Sequence, residues 1–247
     1  MNGPMEIGFS QRVRLEWFER TAELVRAGAN RDEIKKDLDE MLSDRLSVGS
    51  NAERGNRDKA ISVLLKCWLP ASDGVQPLRG SGLELIAQFP GESRLPFHWG
   101  MAMAAYPFFG AVAETTGRLL RLQSAVSAAQ VQRRLREQFG ERETVARAAR
   151  RVLRSFGDWG VLRDTATKGV YQAAPARQLR EAGQVTWLLE ATMRATGSNS
   201  ASLAALFRSP ALFPFELASI GAGVIRGTPR LELVRQGLDQ EVMMLRG

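Results

Sequence analysis

Residues 127–172 read SAAQVQRRLREQFGERETVARAARRVLRSFGDWGVLRDTATKGVYQ, and the local signals in this stretch decide the fold. Ser127 is a good N-cap for a helix running to Phe139, with Val131, Leu135 and Phe139 at i, i+4, i+8 and Gly140 as its stop. A turn over 141–143 leads into a second helix, Thr144 to Phe156, with Val145, Ala149, Val152 and Phe156 on one face. Val161-Leu162-Arg163 and Val170-Tyr171-Gln172, separated by a polar turn over 164–169, then read as a short β-hairpin before Pro175. Helix, turn, helix and hairpin is the order of a winged helix-turn-helix.

The far side of the second helix carries the chemistry. Arg147, Arg150, Arg151 and Arg154 recur at i, i+3, i+4, i+7, a single ridge roughly opposite the apolar stripe. The reading expects no acid three or four residues along that ridge to neutralise them, whereas an ordinary solvated helix face mixes signs. Arg163 and Lys168 fall on the wing, and Arg142, Arg133 and Arg134 form a secondary set. Guanidinium forks bind phosphate bidentately, so the expected partner is double-stranded DNA. The presumed recognition helix offers no Asn or Gln to read adenine, which implies mostly phosphate contact and modest sequence specificity.

Composition agrees. The 247 residues carry 34 Lys and Arg against 27 Asp and Glu, a net charge of +7. The positive excess lies wholly between Arg118 and Arg180, the remainder being slightly acidic, and such concentration is what a nucleic-acid footprint needs. One cysteine, Cys67, and one histidine, His98, are present. That inventory allows no intramolecular disulfide or thiolate metal cluster, fits a reducing cytoplasm, and leaves most hydrolase schemes without their residues. His98, beside Trp99 in an apolar segment, reads as a core histidine, and Cys67 as a small buried hydrophobe. No catalytic residue, metal site or cofactor is expected. The GSG at 80–82 lacks a preceding strand and a third glycine, so it is no nucleotide fingerprint.

The first residues show no leader-peptide layout, since Glu6, Arg12 and Arg14 interrupt it. The uncharged stretch 95–113 is broken by Pro96, Gly100, Pro107 and Gly110 and falls short of the roughly 20 residues that span a bilayer. No membrane association is expected.

Along the chain, helices are expected over 11–27, after Asn30 with Glu33 in a capping box and Ile34, Leu38, Met41 and Leu42 as stripe, and over 59–69. A polar stretch covers 47–55, and 70–82 reads as a loop or boundary. Further helices follow around 83–89, 98–106 and 108–123, the last with Val112, Leu119 and Leu122 as core candidates. Beyond the central motif, 175–195 reads as a helix with Val185, Leu188, Leu189 and Thr192 inside, and 201–208 and 210–225 as two more. Strands over 230–236 and 240–246, joined at Gly237-Leu238-Asp239, make a terminal β-hairpin. Phe207, Leu212, Phe213 and Phe215 read as core, with an exposed partner surface as the alternative.

The whole is a mainly α protein with a central winged helix-turn-helix and a C-terminal helical region ending in a β-hairpin. Its three regions are 1–70, helical; 83–175, a helical segment plus the winged motif; and 176–247, which could be a second, degenerate winged helix lacking an arginine ridge.

The segments Leu65-Lys66-Cys67-Trp68-Leu69-Pro70, His98-Trp99-Gly100-Met101 through Tyr106-Pro107-Phe108-Phe109, Gln130-Val131 to Asp158-Trp159-Gly160, and Pro210 to Glu216 together resemble the BrxA family of bacteriophage-exclusion (BREX) systems. The resemblance spans most of the chain. It implies a small, non-enzymatic, mostly helical DNA-binding component of antiviral defence, conferring phage resistance beside methyltransferase, ATPase and phosphatase-like partners. That family's label as a membrane protein conflicts with the hydropathy above. Two other functions fit the residues: a dimeric, sequence-specific transcriptional regulator reading a palindrome, and an adaptor whose winged helix contacts an acidic protein of a defence complex.

Overall fold

The computed structural model describes residues 7–9, 11–46, 55–71, 74–236 and 240–246. Its first three helices are α1 (Leu15–Arg26), α2 (Arg31–Leu42) and α3 (Asn56–Trp68). The Asn30 side chain accepts from the amides of Asp32 and Glu33, and the Glu33 carboxylate accepts from the Asn30 amide, closing the expected capping box. Ile34, Leu38 and Leu42 are buried, while Met41 is only partly so. Most of the polar stretch 47–55 lies outside the described residues.

The expected loop over 70–82 is largely a helix, α4 (Gln76–Ile86), which absorbs much of the segment expected at 83–89. Pro77 sits in its first turn, where the missing N–H costs nothing. Gly82 is there for close approach: a Cβ would come within 2.8 Å of the Trp187 ring. At Gly100, in α5 (Leu95–Ala105), a Cβ would come within 2.5 Å of the same indole. Two glycines thus let α4 and α5 close on Trp187, which belongs to α9 (Ala182–Ala195) and donates from its Nε1 to the Leu78 carbonyl. Helix α5 is buried along its whole length and α9 nearly so. A helix apolar on every side forms the centre of a core.

Helix α6 (Pro107–Leu122) follows, with Val112 buried, Leu119 partly buried and Leu122 at 80% exposure. The reading of Leu122 as a core residue is therefore wrong: it is the last residue of the helix, and the chain leaves it in extended conformation at Gln123.

Next come β1 (Val126–Ser127), α7 (Ala128–Phe139), α8 (Glu143–Asp158), β2 (Leu162–Asp164) and β3 (Val170–Ala173). Ser127 caps α7 in a capping box with Gln130, and Gly140 ends it at φ +94°, backbone that a side chain would strain. β3 lies between β1 and β2, antiparallel to both, with Val126 opposite Tyr171 and Arg163 opposite Gln172. The two outer strands were not equally legible, because β1 is two residues long.

The C-terminal third departs most from expectation. Residues 175–195 are not one helix: β4 (Arg177–Leu179) precedes α9 and pairs in parallel with β6 (Phe215–Leu217). Ser200 starts β5 (Ser200–Ser202), not a helix, and α10 is only Leu203–Phe207. The helix expected over 210–225 is divided into a 3-10 turn at Pro210–Leu212, strand β6 and α11 (Ala222–Arg226). Pro210, Pro214 and Gly221 interrupt any continuous helix there, so the apolar residues between them serve a strand. Leu212 and Phe215 are buried, and Phe207 and Phe213 are partly buried against the core.

β7 (Leu231–Gln236) and β8 (Gln240–Leu245) pair antiparallel, and the turn at 237–239 lies outside the described residues. β8 lies between β5 and β7. The order first, third, second strand, with two helices between the first and second, therefore occurs twice in the chain. One apolar cluster runs from Phe9 to Met243 through both units. Among the described residues, no helix is long and apolar enough to cross a membrane.

Candidate nucleic-acid interface

Helix α8 has two contrasting sides. Val145, Ala149, Val152 and Phe156 are fully buried, and Phe156 stacks at 4.7 Å against Trp99 and 5.2 Å from Phe109. That side fixes the helix to α5 and α6. On the other side Arg147, Arg150 and Arg154 are exposed and Arg151 is half-buried. Among the described residues, no ion pair reaches Arg147, Arg150 or Arg154. Burial, and then the neighbouring Arg147 and Arg154 charges, lower the Arg151 pKa below the ordinary guanidinium value. Like charges crowd here, and an incoming anion would relieve that crowding.

Arg163, on β2, and Lys168, in the turn before β3, are also exposed. Thr165 ties that turn: its Oγ1 accepts from the Thr167 amide at 3.2 Å, and its own amide donates to the Val170 carbonyl at 3.1 Å. Arg142 is the residue before α8, and its Nη2 donates to the Phe139 carbonyl at 3.1 Å. Arg133 and Arg134 stand on the exposed side of α7, but both face Glu137, at 3.7 and 3.1 Å. One carboxylate shared between them leaves this secondary pair with a single excess charge.

The expectation of an acid-free ridge needs correction. Asp158 stands four residues after Arg154, on the same side of α8. Its carboxylate is held by Arg12, whose Nε and Nη2 donate to its two oxygens. Arg12 lies 146 residues away in sequence, so no local pattern could have revealed this partner. The segment before α1 is fastened to α8 independently of that ion pair. The Val13 amide donates to Ser155 Oγ at 2.9 Å, and Trp159 Nε1 donates to the Val13 carbonyl at 2.9 Å.

His98 is fully buried and internal to the core. Trp68 Nε1 donates to its Nδ1 at 3.1 Å, which leaves the ring proton of the neutral imidazole on Nε2. That nitrogen lies 3.0 Å from Glu19 Oε1, off the line of a straight N–H···O bond. Burial by itself would raise the Glu19 carboxyl; its contacts with His98 and Arg94 outweigh burial and hold it below the ordinary carboxylate range. Cys67 is buried, and burial pushes its thiol up to about 12, which leaves it without thiolate character.

Compared with known proteins, the chain matches no family model, no curated protein and no solved structure.

Proposed function

We propose that residues 127–172 form a winged helix-turn-helix that binds double-stranded DNA without catalysing a reaction on it. In this reading α8 is the recognition helix, the β2–β3 turn is the wing, and α7 crosses the backbone. The observation that carries it is the outer side of α8. Three exposed guanidinium groups without a carboxylate, and a fourth crowded by two of them, stand on a helix whose opposite side is locked in the core.

Arg147, Arg150, Arg151 and Arg154 bind phosphates, with Arg163 and Lys168 on the adjoining backbone and Arg142, Arg133 and Arg134 at the margin. Specificity is modest, because α8 carries no Asn or Gln to read adenine. The resemblance to the BrxA family supports assigning this activity to a phage-defence system in the cytoplasm, where other defence proteins would be partners. The second unit, β5 to β8, has no comparable ridge and takes no part in the DNA contact.

The test is a labelled duplex of arbitrary sequence titrated with wild type and with R147A/R150A/R154A. The triple variant weakens binding about a hundredfold or more, equally on unrelated sequences, since phosphates carry no sequence information. Binding undiminished in the variant contradicts the proposal and favours a surface for an acidic protein.

A further inference from the structure

Where β2 leaves α8 there is a cleft of about 530 Å3 whose polar lining comes from Arg12, Arg154, Asp158, Arg163, Asp164 and Tyr171. Three guanidinium groups face two carboxylates there, and the balance is positive only because of Arg12. The Arg12 side chain is 49% exposed and Asp158 18%, so the arginine is both the partner of the acid and the group presented to solvent. Its pKa is raised, chiefly by the hydrogen bond to Asp158.

Asp158 would otherwise have a different partner. Arg154 stands one helical turn before it, at the i, i+4 spacing at which an acid and a base on one helix pair. Were Arg12 absent, Asp158 would either take Arg154 out of the ridge or turn a bare carboxylate towards any approaching phosphate. Held from the N-terminal segment, Asp158 does neither.

Resting on the DNA-binding reading above, we propose that this cleft seats one backbone phosphate of the bound duplex, and that Arg12 makes the seat by occupying Asp158. Arg154 and Arg163 supply the free donors from α8 and the wing. Arg12 is thus a positioning residue of the interface, although it lies outside the motif and outside the basic central block. Its backbone neighbour Val13 stays tied to Ser155 and Trp159 whether or not the ion pair is present, so its loss does not release the segment.

The test is a double-mutant cycle in the full chain on one labelled duplex. R12A weakens binding about tenfold near 0.1 M salt and lowers the slope of log K against log salt by about one. D158N breaks the same ion pair yet binds at least as tightly as wild type. R12A/D158N recovers most of the R12A loss. An ion pair that served only the fold would make R12A and D158N equally harmful and the double variant no better, and that result overturns the proposal, as does R12A binding like wild type. The R147A/R150A/R154A protein, titrated alongside, separates the two claims. If it binds as wild type does, or wild type does not bind, the DNA reading falls and this proposal with it. If it loses binding while R12A does not, only the phosphate seat is refuted.

Discussion

Glu19 and His98 together link three helices through single contacts. Glu19 lies on α1, faces His98 on α5, and reaches Arg94 Nη1 at 3.3 Å, while His98 is held by Trp68 of α3. Because its folded-state carboxyl is held below the ordinary carboxylate range, its contribution is fully present above the unfolded-state pKa and is lost as pH falls through the folded one. Thermal melts are therefore expected to show a stability loss below about pH 4.5 that E19Q makes shallower. An unchanged acid limb in E19Q would mean that other carboxylates govern it. Glu190 is a second such point: fully buried, it pairs with Arg194 at 2.9 Å and Arg230 at 3.0 Å, joining α9 to the start of β7. At this scale the sequence was readable where a residue's role is local, as with Ser127, Asn30 and Gly140. It was silent on Arg12, whose partner is set by the tertiary fold. Asp158 was legible from helical spacing alone, as the acid four residues after Arg154.

The motif's helices were visible because each carries one apolar stripe, to which α7 adds a cap. Ser127 and Gln130 satisfy each other's backbone amides at the start of α7. S127A is expected to cost about 1 kcal/mol of folding free energy, read from urea unfolding, because it leaves the Gln130 amide without its side-chain acceptor. A change near zero would show that α7 is held by packing alone. The C-terminal elements were misread for the converse reason. A three-residue strand such as β4 carries no periodicity of its own, and its pairing with β6 spans 38 residues, from Arg177 to Phe215. Apolar runs of that length read equally well as helix until their neighbours are known. The helices around the Trp187 indole pose the same difficulty, since Gly82 and Gly100 look like turn residues until the ring they accommodate is in place.

Across the molecule, charge and packing are divided. Apolar residues from every region join one cluster, while the positive excess is gathered on the central block, with four of its arginines on one side of α8. The fold repeats a strand order, β1-β3-β2 and then β5-β8-β7, but the ridge occurs only in the first copy. Under the proposed function, a duplex gripped by that side together with Arg163 and Lys168 would have about five to seven phosphates neutralised, giving a slope of log K against log salt of roughly −4 to −6.

That slope is the most direct measurement of the central claim: wild type and a variant with Arg147, Arg150, Arg151 and Arg154 changed to Ala, titrated against one labelled duplex at several salt concentrations. Steep, salt-sensitive binding by wild type and a much flatter, weaker response in the variant are expected. A flat dependence in wild type, or identical slopes in both proteins, would contradict that claim.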